Sequence, residues 1–179
     1  MAPEKASLNV LRYNVLVVDD DEALRNLIAA LLSKRGYPCG QAVDGIDALK
    51  QAMTNKFDAV VADIVMPTMD GIALTKELLK RFPHLPIMVM TGHGNEFSSV
   101  TAVSAGAKEF IQKPFSLGEF VLRFQKMMRD HEVLVQIEAK QREILFHSQR
   151  KSQEEMNELK KEIDNLRNRL YAGYPRPNH

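Results

Sequence analysis

The chain has 179 residues, a formal net charge of +1 and a single cysteine, Cys39. The small net charge gives no indication of a nucleic-acid or anionic-membrane partner, and one cysteine allows neither an internal disulfide framework nor a thiolate metal cluster. The first residues carry charges without an apolar segment, so we expect no signal peptide. Because no apolar run approaches membrane-spanning length, the sequence predicts a soluble, cytoplasmic protein without membrane insertion.

Short apolar strands and amphipathic helices alternate along the first two thirds of the chain. Strands are predicted at 13–18, 37–43, 59–62, 87–90 and 109–112, and helices at 23–32, 45–54, 72–82 and 98–105. The second strand contains Pro38 and Gly40, so we expect it at an edge of the sheet. This alternation indicates an α/β fold, a doubly wound five-stranded parallel sheet with helices on both faces.

Polar side chains follow four of these strands at the point where each strand ends. Asp19 and Asp20 follow the first strand, Asp63 the third, Thr91 the fourth and Lys113 the fifth. The carboxyl ends of parallel strands share one edge of the sheet, so these groups should converge. Clustered carboxylates suit Mg²⁺, and an aspartate can act as a nucleophile towards phosphorus while a lysine and a hydroxyl hold phosphoryl oxygens. The pattern therefore predicts a phosphoryl-transfer site.

Four motifs, in order and at matching spacing, resemble the receiver domain of two-component response regulators. They are Val-Val-Asp19-Asp20-Asp21, Asp63-Ile-Val-Met-Pro-Thr-Met-Asp-Gly71, Met-Thr91-Gly92 and Phe110-Ile-Gln-Lys113-Pro114-Phe115. The resemblance covers about Tyr13 to Arg129. It implies a flavodoxin-like strand order, 2-1-3-4-5. It also implies a signalling protein, rather than an enzyme, that takes a phosphoryl group from a sensor histidine kinase or a phosphotransfer protein.

The resemblance assigns the acceptor and the metal ligands. By this resemblance Asp63 is the phosphoacceptor, and Mg²⁺ is the cofactor. Asp20, Asp63 and the backbone carbonyl of Val65 bind the metal directly, whereas Asp19 acts largely through water.

The resemblance also implies roles around the phosphoryl group. Thr91 and Lys113 contact that group, Thr91 moves on phosphorylation, and Phe110 occupies an aromatic switch position. Val65 and His93 lie two residues beyond Asp63 and Thr91, where the family tunes hydrolysis of the phosphate. The family tends to have a cis bond at the position of Lys113-Pro114.

The C-terminal third has a different character. We divide the chain into an N-terminal lead-in (1–12), a receiver domain (13–130), a helical extension (131–170) and a disordered tail (171–179). Helix-forming residues dominate from about Ser116 to Leu170, which predicts one long C-terminal helix. Apolar residues in steps of three and four predict a coiled-coil seam, which consists of Met156, Leu159, Ile163, Leu166 and Leu170. A solvated helical linker is the alternative.

Charges beside this seam favour a parallel homodimer. With Ile163 at an a position, Glu155 and Glu162 fall at g, and Lys160 and Arg167 fall at the following e positions. In a parallel dimer each g position faces the partner's next e position, so both pairs have opposite charge.

The extension contains no second core, helix-turn-helix or enzyme motif, and its basic residues alternate with glutamates instead of forming a stripe for nucleic acid. We therefore expect output through contact with an unidentified downstream protein. Two alternatives stay open. One is a haloacid dehalogenase-type phosphatase that uses Asp19 and Asp21, and the other is a constitutive coiled-coil scaffold.

Overall fold

The computed structural model describes residues 13–92, 99–148 and 153–172. The predicted lead-in, His93 and the tail beyond Ala172 lie outside these residues. The elements are β1 (Val15–Val18), α1 (Glu22–Ser33), β2 (Cys39–Ala42), α2 (Gly45–Thr54), β3 (Ala59–Asp63), α3 (Gly71–Arg81), β4 (Ile87–Thr91), α4 (Ser99–Ser104), β5 (Glu109–Gln112), α5 (Leu117–Ser148) and α6 (Gln153–Tyr171). The chain divides into two compact units, with the boundary between Phe124 and Gln125.

The first unit contains a parallel sheet in the order β2-β1-β3-β4-β5, which confirms the predicted fold. All residues of β1, β3 and β4 are buried. Successive side chains of a strand point to opposite faces, so this burial means that both faces of the sheet are covered. The second strand lies at an edge, as its proline and glycine predicted.

The buried face of α1 includes a charged residue and leaves an apolar one exposed. Leu27 is 47% exposed, whereas Arg25, Ile28 and Leu32 are buried. The apolar residues of this helix cover more than one face, so their spacing alone does not define its rotation. The rotation of α1 about its axis is set instead by which of its residues pack against the sheet.

The second unit pairs the end of α5 with α6. The predicted long C-terminal helix is confirmed as α5, but its predicted continuation to Leu170 is wrong, because α6 packs back against α5. Ile137 of α5 and Ile163 and Leu166 of α6 are buried in one cluster, against which Val133, Ile144 and Leu170 pack. Lys140 lies 3.2 Å from Glu162. A helix that stayed single would leave both apolar stripes in water, and packing them together removes that cost. We call the pair formed by residues 125–148 and α6 the helical hairpin.

The two helices of the hairpin run antiparallel. Only four residues separate the end of α5 from the start of α6. The five Cα–Cα steps from Ser148 to Gln153 span at most about 18 Å, too little for the chain to return to the beginning of the first helix. Among the described helices, none is both long and apolar enough to cross a membrane.

Candidate functional site

Three carboxylates meet at the edge of the sheet formed by the carboxyl ends of the strands. Asp19 and Asp20 directly follow β1, and Asp63 is the last residue of β3. Each offers one oxygen, and these oxygens lie within 4.8 Å of one another. Asp19 and Asp63 are buried and Asp20 is exposed. The predicted convergence of these residues is therefore present in the fold, and it forms an acidic cluster that is open on one side.

Lys113 joins this cluster from the end of β5. Its ammonium nitrogen lies 3.0 Å from Oδ2 of Asp19 and 3.1 Å from Oδ1 of Asp63. Its backbone N–H donates a hydrogen bond of 2.6 Å to the carbonyl of Thr91, which ties the ends of β5 and β4 together. The Lys113–Pro114 bond is cis, as predicted. One cation thus neutralises part of the charge of two buried carboxylates.

The environment shifts the proton affinities of Asp63 and Lys113. Burial raises the pKa of Asp63 and the nearby negative charge of Asp19 adds to this, while attraction to Lys113 opposes it. Burial by itself lowers the pKa of Lys113, but its attraction to Asp63 and its hydrogen bond to Asp19 outweigh that, so the pKa is raised overall. The negative charge of ionised Asp63 is therefore incompletely compensated by the protein alone.

The acidic cluster fits a divalent cation that prefers oxygen ligands. Oδ1 of Asp63 is buried, its neighbour among the charged groups is the Lys113 ammonium at 3.1 Å, and it has no geometrically defined hydrogen bond among the described residues. A buried carboxylate oxygen needs more than this one ion pair to offset the loss of its water contacts, and a bound cation would supply the missing interaction. Asp20 supplies a second, exposed carboxylate beside it. The donors are all oxygen, which suits Mg²⁺ better than softer metals.

Thr91 and Phe110 lie where the strand pattern predicted them. Thr91 is 8% exposed at the end of β4, and its hydroxyl donates to the carbonyl of Gly92 at 3.3 Å. Phe110 is half-buried and packs against the core. The guanidinium carbon of Arg123 lies 5.9 Å from the centre of its ring, within the range of a cation–π contact. The predicted switch residue is thus held between the core and a cation.

The loop after Asp63 needs glycine where the backbone returns to the strand. A Cβ on Gly71 would lie 2.1 Å from the carbonyl oxygen of Asp63, and the Gly71 N–H donates to the carbonyl of Ile64 at 2.9 Å. Thr68 in the same loop has a φ of 65°, a conformation that is strained for a β-branched residue. The side chain of Val65 is 59% exposed, and the role of its carbonyl stays a prediction.

Arg25 is a residue of this site that the sequence reasoning missed. It is 9% exposed, and its guanidinium donates to the backbone carbonyl of Asp19 at 2.6 Å and to the side-chain oxygen of Gln41 at 3.3 Å. It therefore fixes the backbone at Asp19 through a hydrogen bond. The sequence did contain an indication of its burial. Arg25 lies three residues before Ile28 and seven before Leu32, which places it on the same helical face as these buried residues.

Comparisons with known proteins agree with this geometry. Residues 15–125 match the family model described as the response regulator receiver domain. The response regulator MprA of Mycobacterium sp. (strain KMS) is 38% identical over 115 residues, which cover 64% of this chain and 50% of MprA. The chain thus spans about half the length of the curated relatives it matches.

Solved structures show the same likeness. The receiver domain of NtrX from Brucella abortus is 35% identical, with a TM-score of 0.61, and the match covers 64% of this chain and 98% of that domain. A longer NtrX structure from the same organism is 31% identical, with a TM-score of 0.68, over 72% of this chain and 29% of that one. The chemotaxis protein CheY4 of Vibrio cholerae is 27% identical, with a TM-score of 0.61, over 65% of this chain and 98% of that protein.

Proposed function

The chain belongs to the family of response regulator receiver domains, and we propose that it is a two-component response regulator that accepts a phosphoryl group on Asp63. The observation that carries the proposal is the convergence of Asp63, two further carboxylates and Lys113 at one edge of the sheet.

The chemistry follows from the acidic cluster. A carboxylate oxygen of Asp63 attacks the phosphorus of a phosphohistidine or a small acyl phosphate, the bond from phosphorus to the donor breaks with its electrons, and an acyl phosphate forms. Lys113, which Asp19 holds in place, is close enough to pair with a phosphoryl oxygen. Asp20 and Asp63, with the carbonyl of Val65, would hold Mg²⁺. The bound metal would supply positive charge for the phosphoryl oxygens.

The proposal also includes the other roles and partners that were predicted from the sequence. They are phosphorylation by a sensor histidine kinase or phosphotransfer protein in the cytoplasm, a switch through Thr91 and Phe110, and tuning of hydrolysis by Val65 and His93. Output would pass to a downstream protein, with a parallel homodimer through α6. The haloacid dehalogenase alternative receives no support, because Asp21 caps α1 by accepting hydrogen bonds from the N–H groups of Ala23 and Leu24.

The test is the intact mass of the protein after incubation with Mg²⁺ and acetyl phosphate. We expect one added phosphoryl group in the parent and none in Asp63→Asn. Asp58→Asn is the matched control, because Asp58 directly precedes the opposite end of β3 and its carboxylate accepts from the Asn14 N–H. An adduct that persists in Asp63→Asn would refute the acceptor assignment. A parent that binds Mg²⁺ and gains no phosphoryl group would favour the constitutive scaffold.

A further inference from the structure

The stripe of α5 that packs against the seam of α6 is less apolar than the seam itself. The predicted seam is apolar at all five positions, and Ile163 and Leu166 are its buried members. The facing stripe of α5 has the same spacing, but between Ile137 and Ile144 it carries Lys140. The side chain of Lys140 is 31% exposed and pairs with Glu162. A charged residue at a seam position fixes the register of two helices and lowers their stability.

A second copy of α6 would match this seam better. Parallel pairing of two copies places an apolar residue in every layer of the seam, with Ile163 at an a position and Leu166 at a d position, the arrangement that favours dimers. The same pairing brings Glu162 of one copy towards Arg167 of the other. In the hairpin Arg167 is 51% exposed and lies 3.8 Å from Asp164 of its own helix.

We propose that α5 and a second copy of this chain compete for the same face of α6. The closed hairpin keeps the chain monomeric, and its opening lets two copies pair in a parallel coiled coil. The two states exclude each other because Ile163 and Leu166 are already buried against α5. The short connection gives α5 the advantage of a high effective concentration, whereas the second copy offers a seam without a charge. The inference rests on the homodimer proposed with the function, but not on phosphorylation of Asp63.

The decisive variant changes α5 alone. Ile137→Asp removes the buried residue that α5 contributes to the cluster and leaves every residue of α6 unchanged. We expect it to lower the apparent dimer dissociation constant of the full chain by about 10-fold or more, because the fraction of open hairpin rises. Sedimentation equilibrium over a range of protein concentrations measures this constant. Val135→Asp is the matched control, since it places the same acid on an exposed face of the same helix.

A second variant moves the equilibrium in the opposite direction. Lys140→Leu completes the apolar stripe of α5, so it should strengthen the hairpin and raise the dimer dissociation constant. This variant keeps the test valid if Ile137→Asp misfolds.

Charge reversal on α6 identifies the interface. Arg167→Glu places like charges at the predicted g–e contact, so in the Ile137→Asp background it should weaken the dimer again. Lys161→Glu makes the same charge change one residue after the e position of Lys160, on the outer face of α6. It should have no effect on the dimer dissociation constant.

The outcomes separate this inference from the proposed function. A wild-type dimer that Ile137→Asp leaves unchanged would overturn the competition while retaining the homodimer. A wild-type dimer that Ile137→Asp abolishes would place the interface on α5 and overturn the inference. Monomers in all variants would overturn both the competition and the homodimer. None of these results bears on the phosphorylation of Asp63, which the intact mass reports separately.

Discussion

Two lysines, one in each compact unit, each bridge a pair of carboxylates. Lys113 lies 3.0 Å from Asp19 and 3.1 Å from Asp63, whose side chains are 0% and 8% exposed. The ammonium nitrogen of Lys140 lies 3.2 Å from Oε2 of Glu143 and 3.2 Å from Oε2 of Glu162. The side chains of these glutamates are 42% and 53% exposed.

The same arrangement of charges has different consequences in the two places. Water and salt screen the exposed pairs around Lys140, so they contribute little stability. The pair with Glu143 lies within α5, and the pair with Glu162 links α5 to α6. The pairs around Lys113 are shielded from water, so removal of the lysine leaves the negative charge of two carboxylates uncompensated. The comparison indicates that burial, rather than distance, decides which lysine contributes more to stability.

The largest effect should come from the backbone that holds Asp63 in its buried place. Gly71→Ala would put a methyl group against the carbonyl of Asp63, which must then move. We expect a loss of about 3 kcal/mol in the free energy of unfolding, measured by urea denaturation. Gly92→Ala is the control, because its added Cβ would meet no atom within 4 Å. Equal stability of the two variants would contradict the close approach.

Truncation of the two lysines tests the comparison directly. Lys113→Ala leaves Asp19 and Asp63 facing each other without a cation, and we expect a loss of about 2 kcal/mol that Mg²⁺ partly restores. Lys140→Ala should leave the melting temperature unchanged, because its partners are solvated. Melting curves of the two variants and the parent, each recorded with and without Mg²⁺, measure the change in stability and its recovery by the metal. Similar losses in the two variants would show that burial does not distinguish them.

The pH dependence of stability isolates the carboxylate of Asp63, the proposed acceptor. The pKa of Asp63 in the folded protein is raised above its ordinary value of 3.8, so the folded state binds this proton more tightly than the unfolded state does. Without metal, the contribution of Asp63 to stability therefore falls as the pH rises above 3.8 through the raised pKa. At neutral pH and without metal, Asp63→Asn should therefore be more stable than the parent.

Thermal unfolding from pH 4 to 8 checks this difference. It should disappear towards the acidic end, and Mg²⁺ should stabilise the parent more than Asp63→Asn. A parent that is more stable than Asp63→Asn at neutral pH without metal would contradict the direction of the shift.

The smallest effect concerns strain in the loop that follows Asp63. Thr68 has a positive φ that glycine adopts without a steric penalty. We expect Thr68→Gly to stabilise the protein by about 0.5 to 1 kcal/mol. Thr54→Gly, in α2, provides the contrast and should destabilise. Urea denaturation of both variants is sufficient, and a destabilised Thr68→Gly would show that the loop carries no such strain.

Much of the fold and of the acidic cluster could be predicted because both follow from chain topology. Strands that run parallel bring their carboxyl ends together whatever their exact bounds, so Asp19, Asp63 and Lys113 converge even though β1 begins at Val15 rather than Tyr13. Arg25 could not be found in this way. A charged residue on a helix is normally exposed, and only the rotation of α1 about its axis turns this one inward.

The hairpin was beyond prediction for a related reason. A stripe such as that of α6 identifies which residues seek burial, but it carries no information about which helix covers them. The stripe of α5 that packs against it includes Lys140, so it does not stand out as a seam in the sequence.

The position of Asp63 within the sheet has a consequence for insertions and deletions. Asp63 is still part of the ladder, where it pairs in register with Met90. Side chains alternate along a strand, so a slip of β3 by one residue would turn this carboxylate to the other face of the sheet and bring a neighbour to its place. Changes in the length of β3 should therefore abolish the phosphorylation proposed for Asp63 even in chains that still fold, whereas conservative substitutions within the strand should leave it intact.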